Sequence, residues 1–244
     1  MRSNYPPSVP LFMGGVSFGG LVAAHTSHEL KKYGISVAGT ILVAPCIDVE
    51  WTALLKFQAS IGSFLAKVTP HVRGAAAVTP DRLSSDQSAI KEYVDDPLVR
   101  VANVRFLAAY EILKGFRLLN EKKTQFNLPL LVIHGTNDAA CFYPASEQFV
   151  RDVSSLDKKF VSVQNGSHLL LHDSATKQNT VDEVLTFVVA RAAAAKAQQM
   201  GNSSSLNAHT ERGSSGSGHV FSIASATGSV PVTEAMEHDI GSRL

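Results

Sequence analysis

The chain has 244 residues, 45% hydrophobic and 18% charged, which suits one globular core with an insertion and excludes disorder throughout. Lys and Arg number 22 against 21 Asp and Glu, so the net charge of +1 gives no overall pull toward nucleic acid. No apolar run reaches the roughly 18 residues of a membrane span, the N-terminus has no signal-peptide core, and Cys46 and Cys141 form neither a disulfide framework nor a zinc spacing; a cytoplasmic protein is expected.

In chain order, Pro10-Leu11-Phe12-Met13 predicts a short strand that stops at Gly14-Gly15. Phe18 to Tyr33 has helical spacing (Leu21, Val22, His25, Leu30), with Gly34 as the stop. Val37 to Val43 reads as a buried strand closed by Ala44-Pro45, completing a βαβ unit and implying a parallel sheet. From Trp51 to Val68 the pattern is an apolar amphipathic helix, broken by Pro70. A polar connector over 79–96 leads into a second helical stretch, Val99 to Lys123, so an all-helical insertion is expected between two strands. The α/β pattern then resumes with a strand at Leu130 to His134, a helix at Ala145 to Val153, a strand at Lys159 to Val163 and a helix at Thr180 to Ala197. Residues 200–244 are rich in Ser and Gly and read as a disordered tail. The expected organisation is therefore an α/β core over 1–50, a helical cap over 51–126, a second part of the core over 127–199, and the tail.

Gly15-Val16-Ser17-Phe18-Gly19 is a G-x-S-x-G placed between a strand and a helix, the context of a nucleophile elbow. The turn holds the serine in a strained backbone conformation, so the positions two away must lack bulk. The Phe18 backbone N–H, opening the helix, is the expected oxyanion donor. A serine needs a base, and the base needs an orienting acid. In the chain order Ser, acid, His, the candidates just past strand ends are Asp138 and His168. Asp48, after the strand ending at Val43, is the rival acid, although it also suits a helix N-cap. His25 and His28 are expected to be structural or solvated, His134 to pack under the site, and His172 to lie outside the first contacts. His71 falls in the insertion, and His209, His219 and His238 in the tail.

Gly-Val-Ser17-Phe-Gly-Gly, Leu-Val-Ala-Pro45, Asp-Asp96-Pro-Leu98, Ile-His-Gly135-Thr-Asn-Asp138 and Gly-Ser-His168 together resemble the monoacylglycerol lipase / lysophospholipase family of α/β hydrolases (serine aminopeptidase S33-like) over residues 9–190. The interval of 30 residues from Asp138 to His168 is similar to that of the family. The resemblance implies an α/β-hydrolase fold, a mostly parallel sheet with a helical cap. It implies a serine esterase that cleaves monoacylglycerols or lysophospholipids through an acyl-enzyme, with a small lipid ester as partner, peripheral membrane contact through the cap, and neither metal nor organic cofactor. Cys141 is similar to a cysteine near the substrate pocket of some members. Two departures are visible: Val16 and Phe18 flank the serine where the family has His and Met, and the family's first strands and His-Gly-type loop have no counterpart ahead of the elbow strand, so an N-terminally truncated fold is expected. Two other readings compete with the hydrolase. One is a catalytically impaired hydrolase-like binding protein, the other an acyltransferase.

Overall fold

The computed structural model describes residue 6 and residues 9–211; the expected tail beyond 211, with His219 and His238, lies outside the described residues. The chain divides into two units, Met1–Asn202 and Ser203–Leu244.

Its elements are β1 (Phe12–Val16), α1 (Phe18–Leu30), β2 (Gly39–Val43), α2 (Ala53–Val68), β3 (Arg73–Ala75), α3 (Gln87–Asp95), β4 (Val104–Arg105), α4 (Phe106–Lys122), β5 (Leu130–Gly135), α5 (Tyr143–Asp152), β6 (Lys158–Val163) and α6 (Lys177–Glu211). The main sheet has the order β1-β2-β5-β6, and every pair is parallel. Its register pairs Val16 with Val43, Val43 with Ile133 and Gly135 with Val163, so the C-terminal ends of all four strands open on one edge.

Both faces of this sheet are covered, as its continuous apolar strands require. Leu42, Leu130 and Val132 point to the face packed by Leu21 and Ala24 of α1, Phe116 of α4 and Phe149 of α5. The alternate residues Ile41, Val43, Leu131 and Ile133 point to the other face, against Leu170 and Phe187 of α6. One strand therefore contributes to two cores, because successive side chains emerge on opposite sides.

Five expectations are corrected. β1 does not stop at Gly14-Gly15 but continues through them to Val16. The parallel ladder with β2 supplies the order that glycine propensity lacks, and Gly15 must be bare, since a Cβ there would lie 2.0 Å from Gly19 O. The insertion between β2 and β5 is not all helical: β3 and β4 form a two-stranded antiparallel ribbon. Its Gly74 sits under the Phe106 ring, where a Cβ would come within 2.3 Å. Within the supposed connector, Asp86 caps α3 by accepting hydrogen bonds from the Ser88 and Ala89 amides. The second helix of the insertion starts at Phe106 rather than Val99. Finally, α6 runs from Lys177 to Glu211, so the helix carries past residue 200. The alanines at 192–195 and 197, with no proline after them until Pro231, favour that continuation. The expected stop at Gly34 holds: a 3₁₀ turn over Lys31–Tyr33 ends on Gly34 at φ 68°.

Ile133 is fully buried on the α6 side of the sheet, whereas Val189 on α6 is largely exposed. Urea unfolding of Ile133→Ala should show a loss of about 2–5 kcal/mol, against a change within about 0.5 kcal/mol for Val189→Ala.

Candidate active site

Ser17 directly follows β1 and is the N-cap residue of α1, with φ 54° and ψ −126°. No β-carbon residue adopts this backbone without strain, at a cost of about 1–3 kcal/mol. Three hydrogen bonds hold it: Ser17 N–H donates to Val43 O at 3.1 Å, and Ser17 O accepts from Gly20 N and Cys46 N, both at 2.9 Å. Bulk is excluded at Gly15, as expected, but the second constraint is not at Gly19, where an added Cβ meets nothing. It is at Gly20, where a Cβ would lie 2.6 Å from Pro45 Cβ. The turn thus fits only because α1 and the loop after β2 approach at Gly20-Pro45, a contact that no local motif announces. Phe18 N–H occupies the first helical position, and among the described residues it has no acceptor.

Asp138 lies in the loop closing β5 and His168 in the loop closing β6. These loops are stitched together: Asn137 N–H donates to Gly166 O at 2.9 Å, Asn165 N–H to Thr136 Oγ1 at 2.9 Å, and Thr136 N–H to Val163 O at 3.0 Å. Gly135 permits the approach, since a Cβ there would lie 2.2 Å from Gly166 O. His168 Nδ1 and Asp138 Oδ2 are 2.8 Å apart. The same oxygen is 3.0 Å from His134 Nε2, whose Nδ1 is 2.7 Å from Ser146 Oγ. Asp138 Oδ1 accepts from the Ala140 and Cys141 amides, both at 2.8 Å. Burial opposes the charge on Asp138, but hydrogen bonds from His134 and His168, the His168 charge and the Cys141 amide outweigh it and hold the carboxyl well below the usual range. His168 Nε2 has no protein partner among the described residues.

Ser17 Oγ has Cys141 Sγ as its partner, at 3.8 Å. No hydrogen bond joins it to His168 in this conformation. Donor atoms of Asp138, Cys141 and His168 all lie within 4.8 Å of one another, so the hydroxyl and the imidazole border the same thiol. A staggered step in χ1 redirects a serine hydroxyl among such neighbours, and catalytic hydrogen bonds commonly tighten only when substrate is bound. The neighbouring Cys46 thiol and burial push the Cys141 thiol up, which keeps it neutral. Asp138, Cys141 and His168 also form a cluster with metal-ligand spacing. The carboxylate's two oxygens are already engaged by four donors.

The other candidates fall elsewhere. Asp48 accepts from the Val49 amide and Trp51 Nε1, both at 2.8 Å, and from Asn120 Nδ2 at 2.5 Å, which ties the start of the insertion to α4. It does not cap α2; Thr52 does, through the Leu55 amide. His25 Nε2 lies 3.0 Å from Gly115 O and joins α1 to α4. His28 is partly buried on α1, which lowers its pKa. His172 is exposed beside Glu92 at 3.9 Å, and His71 lies in the turn after α2. His134 packs beneath the site, as expected, and is fully buried.

A parallel sheet with a serine elbow after one strand, and an acid and a histidine in loops after two later strands, defines an α/β hydrolase. The family model for serine aminopeptidase, S33, matches residues 1–175, and the chain belongs to that family. Among its relatives are a putative monoglyceride lipase of Schizosaccharomyces pombe, 29% identical over 66% of this chain and 43% of that protein, and the monoglyceride lipase of Mus musculus, 26% identical over 81% and 64%. An uncharacterized abhydrolase domain-containing protein of Dictyostelium discoideum is 28% identical over 80% of this chain and 20% of its own length. The chain thus spans less than two thirds of these relatives. Two solved structures share the fold: the monoacylglycerol lipase of Paleococcus ferrophilus (TM-score 0.67, 18% identity, 75% of this chain and 69% of that one), and a soluble variant of the Saccharomyces cerevisiae monoglyceride lipase in complex with a substrate analog (TM-score 0.63, 21% identity, 75% and 62%).

Because Asp138 is held below its unfolded pKa, its ionised form adds stability that is complete above that value, near 4, and is lost as pH falls toward the depressed folded value. The difference in unfolding free energy between wild type and Asp138→Asn should stay level from pH 7 to about 5 and shrink below about 4, as followed by urea titration at each pH.

Proposed function

We propose that the protein is a serine hydrolase of carboxylic lipid esters, with monoacylglycerol the first substrate to test and lysophospholipid the second. The observation that carries this reading is the convergence, at one edge of the sheet, of a strained serine and a buried His168–Asp138 pair. Ser17 Oγ, turned toward His168, attacks the ester carbonyl while His168 Nε2 takes its proton. His168 then protonates the departing alcohol, and a water activated by the same nitrogen releases the fatty acid. Asp138, acceptor to Nδ1–H, fixes the tautomer that leaves Nε2 free and stabilises the imidazolium. Phe18 N–H, at the positive end of α1, supplies one oxyanion donor.

The segment between β2 and β5 acts in this reading as a cap. An open groove of about 470 Å³ runs between α1 and α4, bordered by Phe18, Leu21, Val22 and Ile112, and offers an apolar path starting next to the nucleophile. Leu54, Phe57, Ile61, Phe64 and Val68 form an exposed stripe on α2 at helical spacing; Phe57 is 65% and Phe64 64% exposed. No helix among the described residues is long and apolar enough to cross a membrane. We assign the stripe to peripheral contact with a lipid surface, from which a monoacylglycerol would be drawn.

Ser17→Ala should abolish labelling by a fluorophosphonate probe and reduce monoacylglycerol hydrolysis by at least about 10³-fold; wild-type labelling of that variant would reject the assignment. Added alcohol should not divert the released acyl group into a new ester, which separates hydrolysis from acyl transfer. The double variant Phe57→Asp/Phe64→Asp should lose sedimentation with phospholipid vesicles while keeping its labelling rate in solution.

A further inference from the structure

We propose that Asp173 is a positioning residue for His168, acting through a buried serine clamp that fastens the histidine loop to the insertion; this rests on the reading of Ser17 and His168 above. Asp173, Ser84, Ser167 and His168 are all buried. Asp173 Oδ1 accepts a hydrogen bond from Ser84 Oγ at 2.5 Å, and its Oδ2 accepts one from Ser167 Oγ, the residue immediately before His168. Ser84 Oγ in turn accepts from the Asp86 amide at 2.8 Å, so the direction of the chain is fixed: amide to hydroxyl to carboxylate. Hydrogen bonds to a carboxylate acceptor are the stronger kind, and removing it leaves two buried hydroxyl protons without an acceptor.

The clamp holds the chain on both sides of His168 in sequence. Leu83 O accepts from both the His168 amide (3.0 Å) and the Leu169 amide (3.1 Å). Beyond it, Asp86 Oδ2 accepts from the Ser174 amide at 3.1 Å and from Ser174 Oγ at 2.9 Å. Leu83, Ala89 and Leu169 pack together over these bonds. Three residues of the insertion, Leu83, Ser84 and Asp86, thus fix residues 167–169 and 173–174 of the loop. Nothing in the proposed chemistry touches Asp173. Yet the backbone of His168 hangs on the same segment, and the ring itself has Asp138 as its one hydrogen-bond partner among the described residues. The place of Nε2 relative to Ser17 therefore depends on where this clamp sets the loop.

The full chain is tested as Asp173→Ala, Asp173→Asn and Ser84→Ala, with Ser17→Ala as control. Asp173→Ala should lower the maximal fluorophosphonate labelling rate and kcat by about 10- to 100-fold, in line with a displacement of about 1 Å, with KM within about 2-fold. Ser84→Ala should give a smaller loss of the same kind. Asp173→Asn, which keeps an acceptor oxygen, should recover part of it. The downfield proton resonance of His168 Nδ1–H should shift in Asp173→Ala. Should that variant fail to fold, Ser84→Ala and Asp173→Asn carry the same readouts. Wild-type kcat and an unmoved resonance in any folded variant overturn the proposal, as does a loss confined to KM. If Ser17→Ala labels normally, the serine-hydrolase reading is what fails, and the resonance alone then decides whether Asp173 sets the imidazole.

Discussion

The site is organised around one buried carboxylate. Asp138 has four donors on two oxygens: the imidazoles of His168 and His134, and the amides of Ala140 and Cys141. An isolated charge there would be costly to bury, and it is the complete set of donors that keeps it ionised. The two amides fold the loop after β5 around the carboxylate, and His134 supports it from below through Ser146. The one remaining donor, His168, comes from the next loop. The charge thus fixes the geometry of two loops and gives one of its histidines a defined tautomer with a free second nitrogen.

The sheet explains why these groups meet. Parallel strands in the order β1-β2-β5-β6 bring their C-terminal ends to one edge, so residues 17, 138 and 168, distant in sequence, become neighbours. That placement was legible from the amino acids. Buried strands announce themselves as runs of Val, Ile and Leu, the serine turn by its glycines, and Asp138 and His168 by their distance past a strand end. His134 was likewise legible as a packing residue, because its strand position points it beneath the loop.

What escaped sequence reasoning was set by contacts between segments far apart along the chain. β1 passes through two glycines because β2 lies beside it, which no local propensity reports. The β3–β4 ribbon has three residues against two and exists where Phe106 can cover Gly74. The bulk limit fell on Gly20 instead of Gly19 because Pro45 arrives from another loop. The Ser84–Asp173–Ser167 cluster was invisible for the same reason: serines and aspartates occur throughout the chain, and only folding shows which of them are buried together.

The backbone of residue 17 has a further consequence. Its φ of 54° is comfortable for glycine and uncomfortable for every residue that carries a side chain. A selection that rewarded durability alone would drift to glycine at this one position and lose the hydroxyl. A serine at this position costs the fold stability that a glycine would return, a cost that the proposed nucleophilic role of its hydroxyl would account for.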